Sequence, residues 1–152
     1  MKTNITEKRP LVFTAYSKKN FFCRDMISEF VFKMGNVPLN PFKNFDYFLR
    51  DKVKRDFVRR ANNNLLMVAD ALWVFGDVSD GVLKEIKLAK SFSLETLFYA
   101  LGNSIEDIQL TNHVKLEPPF ALTPIDQRLL KSTVESEPVK KGEAFKHPWR
   151  KD

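Results

Sequence analysis

The chain reads as a single α/β domain of the doubly wound, flavodoxin-like or Rossmann-like kind, with a parallel sheet of about four or five strands. Three observations predict it. Short apolar runs alternate with helix-length amphipathic segments as far as residue 100, the pattern of strands joined by crossovers that cover both sheet faces. The run ALWVF at residues 71–75 is apolar at every position, as a central strand covered on both faces should be. Finally, 152 residues with 43% hydrophobic content can bury one sizeable core and would be crowded as two.

The elements follow in order. LVFTA, residues 11–15, lies between Pro10 and a polar stretch, and is the first strand. In residues 21–34, Phe22, Met26, Ile27, Phe30, Val31 and Met34 recur at helical spacing and Gly35 supplies the stop, giving helix one. Residues 36–39 form a second short strand, closed by Asn40-Pro41 because proline cannot donate to a central ladder. An aromatic connector at 42–49 leads to a charged, weakly amphipathic helix at 51–68. After the strand at 71–75 comes a turn at 76–81, a helix at 82–90 with Val82, Ile86 and Ala89 on one face, and a fourth strand at 96–100. The expected strand order is 2-1-3-4, with a fifth strand near 109–115 and a short helix at 124–130. Residues 1–133 are expected to form the domain, and 134–152 a basic tail that is mobile or docks on a partner subunit.

Composition narrows the function. Cys23 is the only cysteine, which rules out an intramolecular disulfide and fits a reducing compartment. No apolar run approaches the ~20 residues needed to span a bilayer, and the first ten residues lack a signal-peptide core, so a soluble, cytoplasmic protein without a membrane partner is expected. The net charge of +6 is dispersed. One basic group, Lys52, Lys54, Arg55, Arg59 and Arg60, is interrupted by Asp51 and Asp56 and reads as a solvated helix face rather than a polyanion site; nucleic acid is a possible partner but not the favoured one. A phosphate-bearing small substrate also suits this charge, with Lys18, Lys19 and Lys43 near the expected strand ends. His113 and His147 stand apart from other ligand residues and read as surface histidines, so neither a metal nor another cofactor is expected. No GxSxG, Walker loop or GxGxxG occurs.

Parallel sheets of this kind place ligands beyond the carboxyl ends of their strands. That rule selects four places: Tyr16 and Ser17 after the first strand, Asn40, Pro41 and Phe42 after the second, the turn from Gly76 to Gly81 after the third, and the residues after Ala100. Glu85 follows Gly81 by four residues on a helix, where a long side chain leans back toward the N-terminus and so toward the strand ends. Other roles exist for these residues: Asp70 as a cap of the preceding helix, Asp80 as an N-cap, and Glu85 as part of a solvated face beside Lys84 and Lys87.

The set Ala69-Asp70 before a hydrophobic strand, an acidic turn with Asp77 and Asp80, and Gly81-x-x-x-Glu85 opening a helix with Ala89 resembles the nucleoside 2-deoxyribosyltransferase superfamily, which includes the nucleotide N-glycoside hydrolases. FTAYS at 13–17 and VPLNPF at 37–42 are similar to its first strand and its proline-containing substrate loop, so the resemblance runs over residues 11–101. It implies that Glu85 attacks an anomeric carbon and expels a nucleobase through a covalent glycosyl-enzyme. It also implies that Asp70 and Asp80 hold the base and manage its proton, and that Tyr16 orients Glu85. A nucleoside or nucleotide substrate follows.

A homodimer or higher homo-oligomer is expected from the resemblance and from the aromatic residues Phe42, Phe45, Tyr47, Phe48 and Phe57, too many for one small domain to cover. Two further readings stand beside the glycosyl enzyme. One is NAD cleavage, because Toll/interleukin-receptor-like domains also join a flavodoxin-like sheet to a helix-borne glutamate. The other is a nonenzymatic nucleotide- or nucleic-acid-binding module using the basic helix and tail.

Overall fold

The computed structural model describes residues 4–45, 52–118, 122–136 and 147–149. Its strands are β1 (Leu11–Tyr16), β2 (Val37–Leu39), β3 (Ala71–Phe75), β4 (Glu95–Ala100) and β5 (Gln109–Leu110). Its helices are α1 (Arg24–Lys33), the single turn α2 (Pro41–Asn44), α3 (Arg55–Val68), α4 (Asp80–Ser91) and α5 (Pro124–Ser136). One sheet holds all five strands in the order β2-β1-β3-β4-β5. The pairs β1–β2, β1–β3 and β3–β4 are parallel, whereas β4–β5 is antiparallel. The fold is therefore the doubly wound α/β sheet that the alternating runs predict. The antiparallel edge has a simple cause: only residues 101–108 separate β4 from β5, too few for the crossover that parallel pairing requires.

Strand alternation divides the core between the two faces. Phe13, Ala15, Leu72, Val74 and Phe98 point to one side, where they meet Leu66 of α3, Val82, Ile86 and Ala89 of α4, and Leu130 and Val134 of α5. Val12, Tyr16, Trp73, Phe75 and Tyr99 point to the other, against Ile27, Phe30 and Val31 of α1. Phe30 is the hub of that second layer, with its ring centroid 5.1 Å from Tyr99, 5.9 Å from Phe75 and 6.1 Å from Trp73 in edge-on geometry.

Several boundaries move for local reasons. The first helical segment begins as 3-10 turns at Lys18–Cys23, kinked internally at Asn20 (φ −99°, ψ 16°), and passes directly into α1 at Arg24. Gly35, at φ 89°, ends α1 as expected. The C-terminal boundary drawn at residue 134 does not hold: α5 continues to Ser136 and buries Val134 in the core. His147, expected at the surface, is buried, with Nε2 2.7 Å from the carbonyl oxygen of Ile108, and Trp149 stacks edge-on to Phe30 at 5.7 Å. Its aromatic body and two neighbouring rings explain this docking better than the basic residues around it, which had suggested a free tail. Residues 137–146 lie outside the described part, as do Tyr47 and Phe48 of the aromatic connector.

Gly76 ends β3 at φ 76°, and its N–H donates to the Tyr99 carbonyl at 2.9 Å. A Cβ there would stand 2.9 Å from Asn20 Nδ2 and 3.1 Å from Leu101 Cδ1. Gly76→Ala is accordingly expected to lower the unfolding free energy by about 1–3 kcal/mol, through both the left-handed backbone and the crowding. Urea denaturation of the two proteins measures it.

Candidate functional site

A cleft of about 880 Å³ opens at the carboxyl ends of β1 and β3. Its walls are the N-terminal halves of α3 and α4, and its aromatic side is formed by Tyr16 and Phe42, whose ring centroids lie 4.9 Å apart. Of the residues expected at a site, Tyr16, Ser17, Pro41, Phe42, Asp80, Gly81 and Glu85 all line this cleft.

Glu85 arrives there through the helical period. Val82, Ile86 and Ala89 of α4 face the sheet, and Glu85 stands three residues after the first and four before the last, on the flank of that apolar stripe. Lys84 and Lys87 turn to solvent instead. The Glu85 atom Oε2 is buried and has no hydrogen-bond partner, while the rest of the side chain keeps partial contact with the cleft. Burial pushes its pKa up to about 8, and a side-chain hydrogen bond from Asn62 on α3 pulls in the opposite direction. A solvated helix face is thus excluded for this residue.

Other expected residues are placed differently. Asp70 lies at the amino end of β3, where Oδ2 accepts from the Leu11 N–H at 2.8 Å and its own N–H donates to the Leu11 carbonyl at 2.7 Å. The five residues of β3, about 16 Å of strand, separate it from the cleft, so it tethers β1 to β3 and is not part of the site. Asn40 is buried with its amide consumed: Oδ1 accepts from the Tyr16 hydroxyl at 2.7 Å, and Nδ2 donates to Ser28 Oγ at 3.0 Å and to the Arg24 carbonyl at 3.2 Å. It holds β1, β2 and α1 together beneath the cleft rather than facing a ligand. The Tyr16 hydroxyl is committed to Asn40, not to Glu85, and burial raises its pKa. Gly76 faces Asn20 and Leu101, away from the cleft.

Asp80 sits in the first turn of α4, exposed and 3.2 Å from Lys84. The N-cap is Ser79, whose Oγ accepts from the Val82 N–H at 3.2 Å. Ser17 caps the 3-10 turn after β1 by accepting from the Lys19 N–H. Phe42 packs between Tyr16 and Phe21, so it and Phe45 belong to the cleft and are not spare surface for a partner.

Among the lining residues that sequence reasoning did not place at the site are Arg55, Arg59 and Asn62 of α3, and Glu117. A signal for Asn62 existed in the spacing of Val58, Asn62 and Leu66, a polar residue interrupting a stripe that ends in the core. None existed for Glu117. It reaches the cleft because Leu116 bridges to Val78, with the Glu117 N–H donating to the Val78 carbonyl at 2.9 Å. Its carboxylate is 3.5 Å from Lys19 and mostly covered. Lys43 pairs with Asp25, leaving Lys18 and Arg55 as cleft cations without an ion pair among the described residues. No group of three or more potential metal ligands occurs among the described residues, and no described helix is long and apolar enough to cross a membrane.

A family model, a domain of unknown function (DUF7768), matches residues 12–99. The chain belongs to that family. The matched stretch carries β1 through β4 with Tyr16, Asn62 and Glu85, and leaves out Glu117. No curated protein matches the chain significantly. Among solved structures, this DUF7768 domain is similar to a 2-deoxyribosyltransferase from the psychrotolerant bacterium Bacillus psychrosaccharolyticus, at a TM-score of 0.49 and 12% identity, covering 61% of this chain and 77% of that one.

The buried carboxyl sets a pH dependence of stability. Glu85 has a folded-state pKa of about 8 against an ordinary 4.5, so the native state binds the extra proton between those values. Stability therefore falls as pH rises through that window, and the penalty is absent below it. Glu85→Gln removes the ionisable group and should leave stability near pH 4 little changed while raising it, relative to wild type, by on the order of a few kcal/mol at alkaline pH. Melting curves of both proteins across the window check this.

Proposed function

We propose that the domain cleaves or transfers the N-glycosyl bond of a nucleoside or nucleotide, with Glu85 as nucleophile. The observation that carries the reading is a desolvated carboxyl in the wall of a cleft at the strand carboxyl ends, within the Gly81-x-x-x-Glu85 segment that resembles the deoxyribosyltransferase superfamily. A carboxylate held out of water offers its charge undiminished to an oxocarbenium-like centre, and the positive charge developing there favours ionisation of Glu85 in turn. The Tyr16 and Phe42 rings offer a flat surface for a nucleobase. Lys18, Arg55 and Arg59 favour a substrate that carries phosphate.

In the first step a Glu85 carboxylate oxygen bonds to the anomeric carbon as the carbon–nitrogen bond breaks; the electron pair leaves on the base nitrogen, which takes up a proton. In the second, water or another base bonds to that carbon, the ester bond breaks, and the carboxylate is restored. With Asp70 at the far end of β3, we assign the proton exchange to Glu117, the other well-covered carboxyl of the cleft. The single cysteine and a nucleotide-type substrate fit a cytoplasmic protein. Phe57, Met67 and Val68, all exposed on α3, fit a homo-oligomer, which light scattering would detect.

Incubation with deoxynucleosides, nucleoside monophosphates and NAD, followed by chromatography for free base, tests the activity and separates it from NAD cleavage. Glu85→Gln should abolish base release while the protein still binds ligand, because the substitution keeps shape and removes the attacking charge. Glu117→Gln should slow base release by about 10²-fold or more. Since attack needs the ionised form, the wild-type rate should rise with pH and level off above about 8; a rate falling through that window would make Glu85 an acid and overturn its assignment as nucleophile.

A further inference from the structure

Three asparagines, Asn62, Asn63 and Asn64, stand in succession inside α3, although asparagine is a poor helix former whose side chain competes for the backbone. Their surroundings differ. Asn63 and Asn64 are exposed, whereas Asn62 is half-buried, one turn after Val58 and one turn before Leu66. Val58 and Asn62 line the cleft; Leu66 is fully buried in the core beside α4. Helical spacing thus sets Asn62 on the same face of α3 as Val58 and Leu66, the face that meets α4.

Glu85 has few other resources there. Its Oε2 is buried without a partner, and among the described residues Asn62 is the side chain that opposes the effect of burial on the carboxyl; both line the same cleft, on α3 and α4. The charged groups of the cleft come from every neighbouring element: Arg55 and Arg59 on α3, Asp80 and Lys84 on α4, Lys18 after β1, and Glu117. All but Glu117 are exposed, and Glu117 is engaged by Lys19. None of them contributes to the displaced proton affinity of Glu85, which is set by burial and by Asn62.

We propose that Asn62 is the positioning residue of Glu85, its side-chain amide donating to the carboxyl, fixing that group in the cleft wall and favouring its ionised form. The proposal rests on the reading of Glu85 as the reacting group. An amide is suited to the task because it donates without bringing a charge that would compete with a cationic centre. Its removal takes that donor from the carboxylate, and the carboxyl retains its proton to higher pH.

The test is a carbon-13 NMR titration of the Glu85 carboxyl in wild type, Asn62→Ala and Asn62→Leu, assigned by the signal missing from Glu85→Gln. Both Asn62 variants should bind the Glu85 proton at least about threefold more tightly, with folding verified by amide spectra. Two variants of different bulk are used so that a packing failure in one does not decide the matter. In the base-release assay, kcat should drop about tenfold or more at neutral pH with KM little changed, and recover partly at high pH as the carboxyl ionises. A merely structural asparagine would not produce that recovery. An unchanged Glu85 titration in a folded variant overturns the proposal. A shifted titration with no base release from any protein leaves the pairing of Asn62 with Glu85 standing and overturns the glycosyl-transfer reading instead.

Discussion

Strand β3 is covered on both faces and paired on both edges, so the only direction from which a small molecule can reach the sheet is beyond a strand end. β1 and β3 run side by side in the same direction, from Val12 opposite Ala71 to Tyr16 opposite Phe75, and this brings the residues that follow each strand to one rim. Everything at the cleft depends on that shared register. Tyr16 closes β1, Asn40 below it locks β2 and α1 to the same level, and the turn after β3 delivers α4 with Glu85. The reciprocal backbone and side-chain bonds between Asp70 and Leu11 fix the register from the opposite end. A one-residue slip would exchange the two faces of β1, sending Phe13 and Val12 to the wrong layers and Tyr16 away from Asn40.

The parts of this arrangement written as local patterns were legible in the sequence. ALWVF could only be a doubly covered strand, the spacing of Ile27, Phe30 and Val31 could only be a helix face, and the strand-end rule, together with the Gly81-x-x-x-Glu85 spacing, named Tyr16, Ser17, Pro41, Phe42, Asp80, Gly81 and Glu85, which line the cleft. Errors arose where one side chain had to be assigned to an end or a partner. Asp70 precedes β3, and the parallel direction that carries Glu85 to the rim necessarily leaves Asp70 at the base. Asn40 was expected to face a ligand, but its three hydrogen bonds to Tyr16, Ser28 and Arg24 are tertiary and have no trace in the local pattern. Glu117 depends on a single bridge between Val78 and Leu116, far apart in sequence and outside any regular element.

The basic character of α3 gave a subtler misreading. Arg55, Arg59 and Arg60 alternate with acidic and polar residues as on a solvated helix, and the exposed arginines do meet solvent. Yet the same helix turns Val58, Asn62 and Leu66 inward, so one face serves successively as cleft wall and core. Counting charges describes only the outer face. The inner face is recognisable because a polar residue persists where packing alone would prefer leucine.

That persistence and the burial of Glu85 have a common physical meaning. A carboxyl on the flank of an apolar stripe costs stability whenever it must ionise, and packing alone would be better served by an apolar residue at position 85. Asn62 offsets part of the cost but is itself unfavourable in the middle of a helix. Two locally unfavourable choices on neighbouring helices, both lining the same cleft, are not what packing alone would select and fit the proposed preorganised reactive group. Buried polar atoms without a partner occur on both sheet faces, Glu85 Oε2 on the α3–α4 side and Trp149 Nε1 beside Phe30 on the α1 side. Only the first of them lines the cleft, so the cost on the α3–α4 side falls on a group that a ligand can reach.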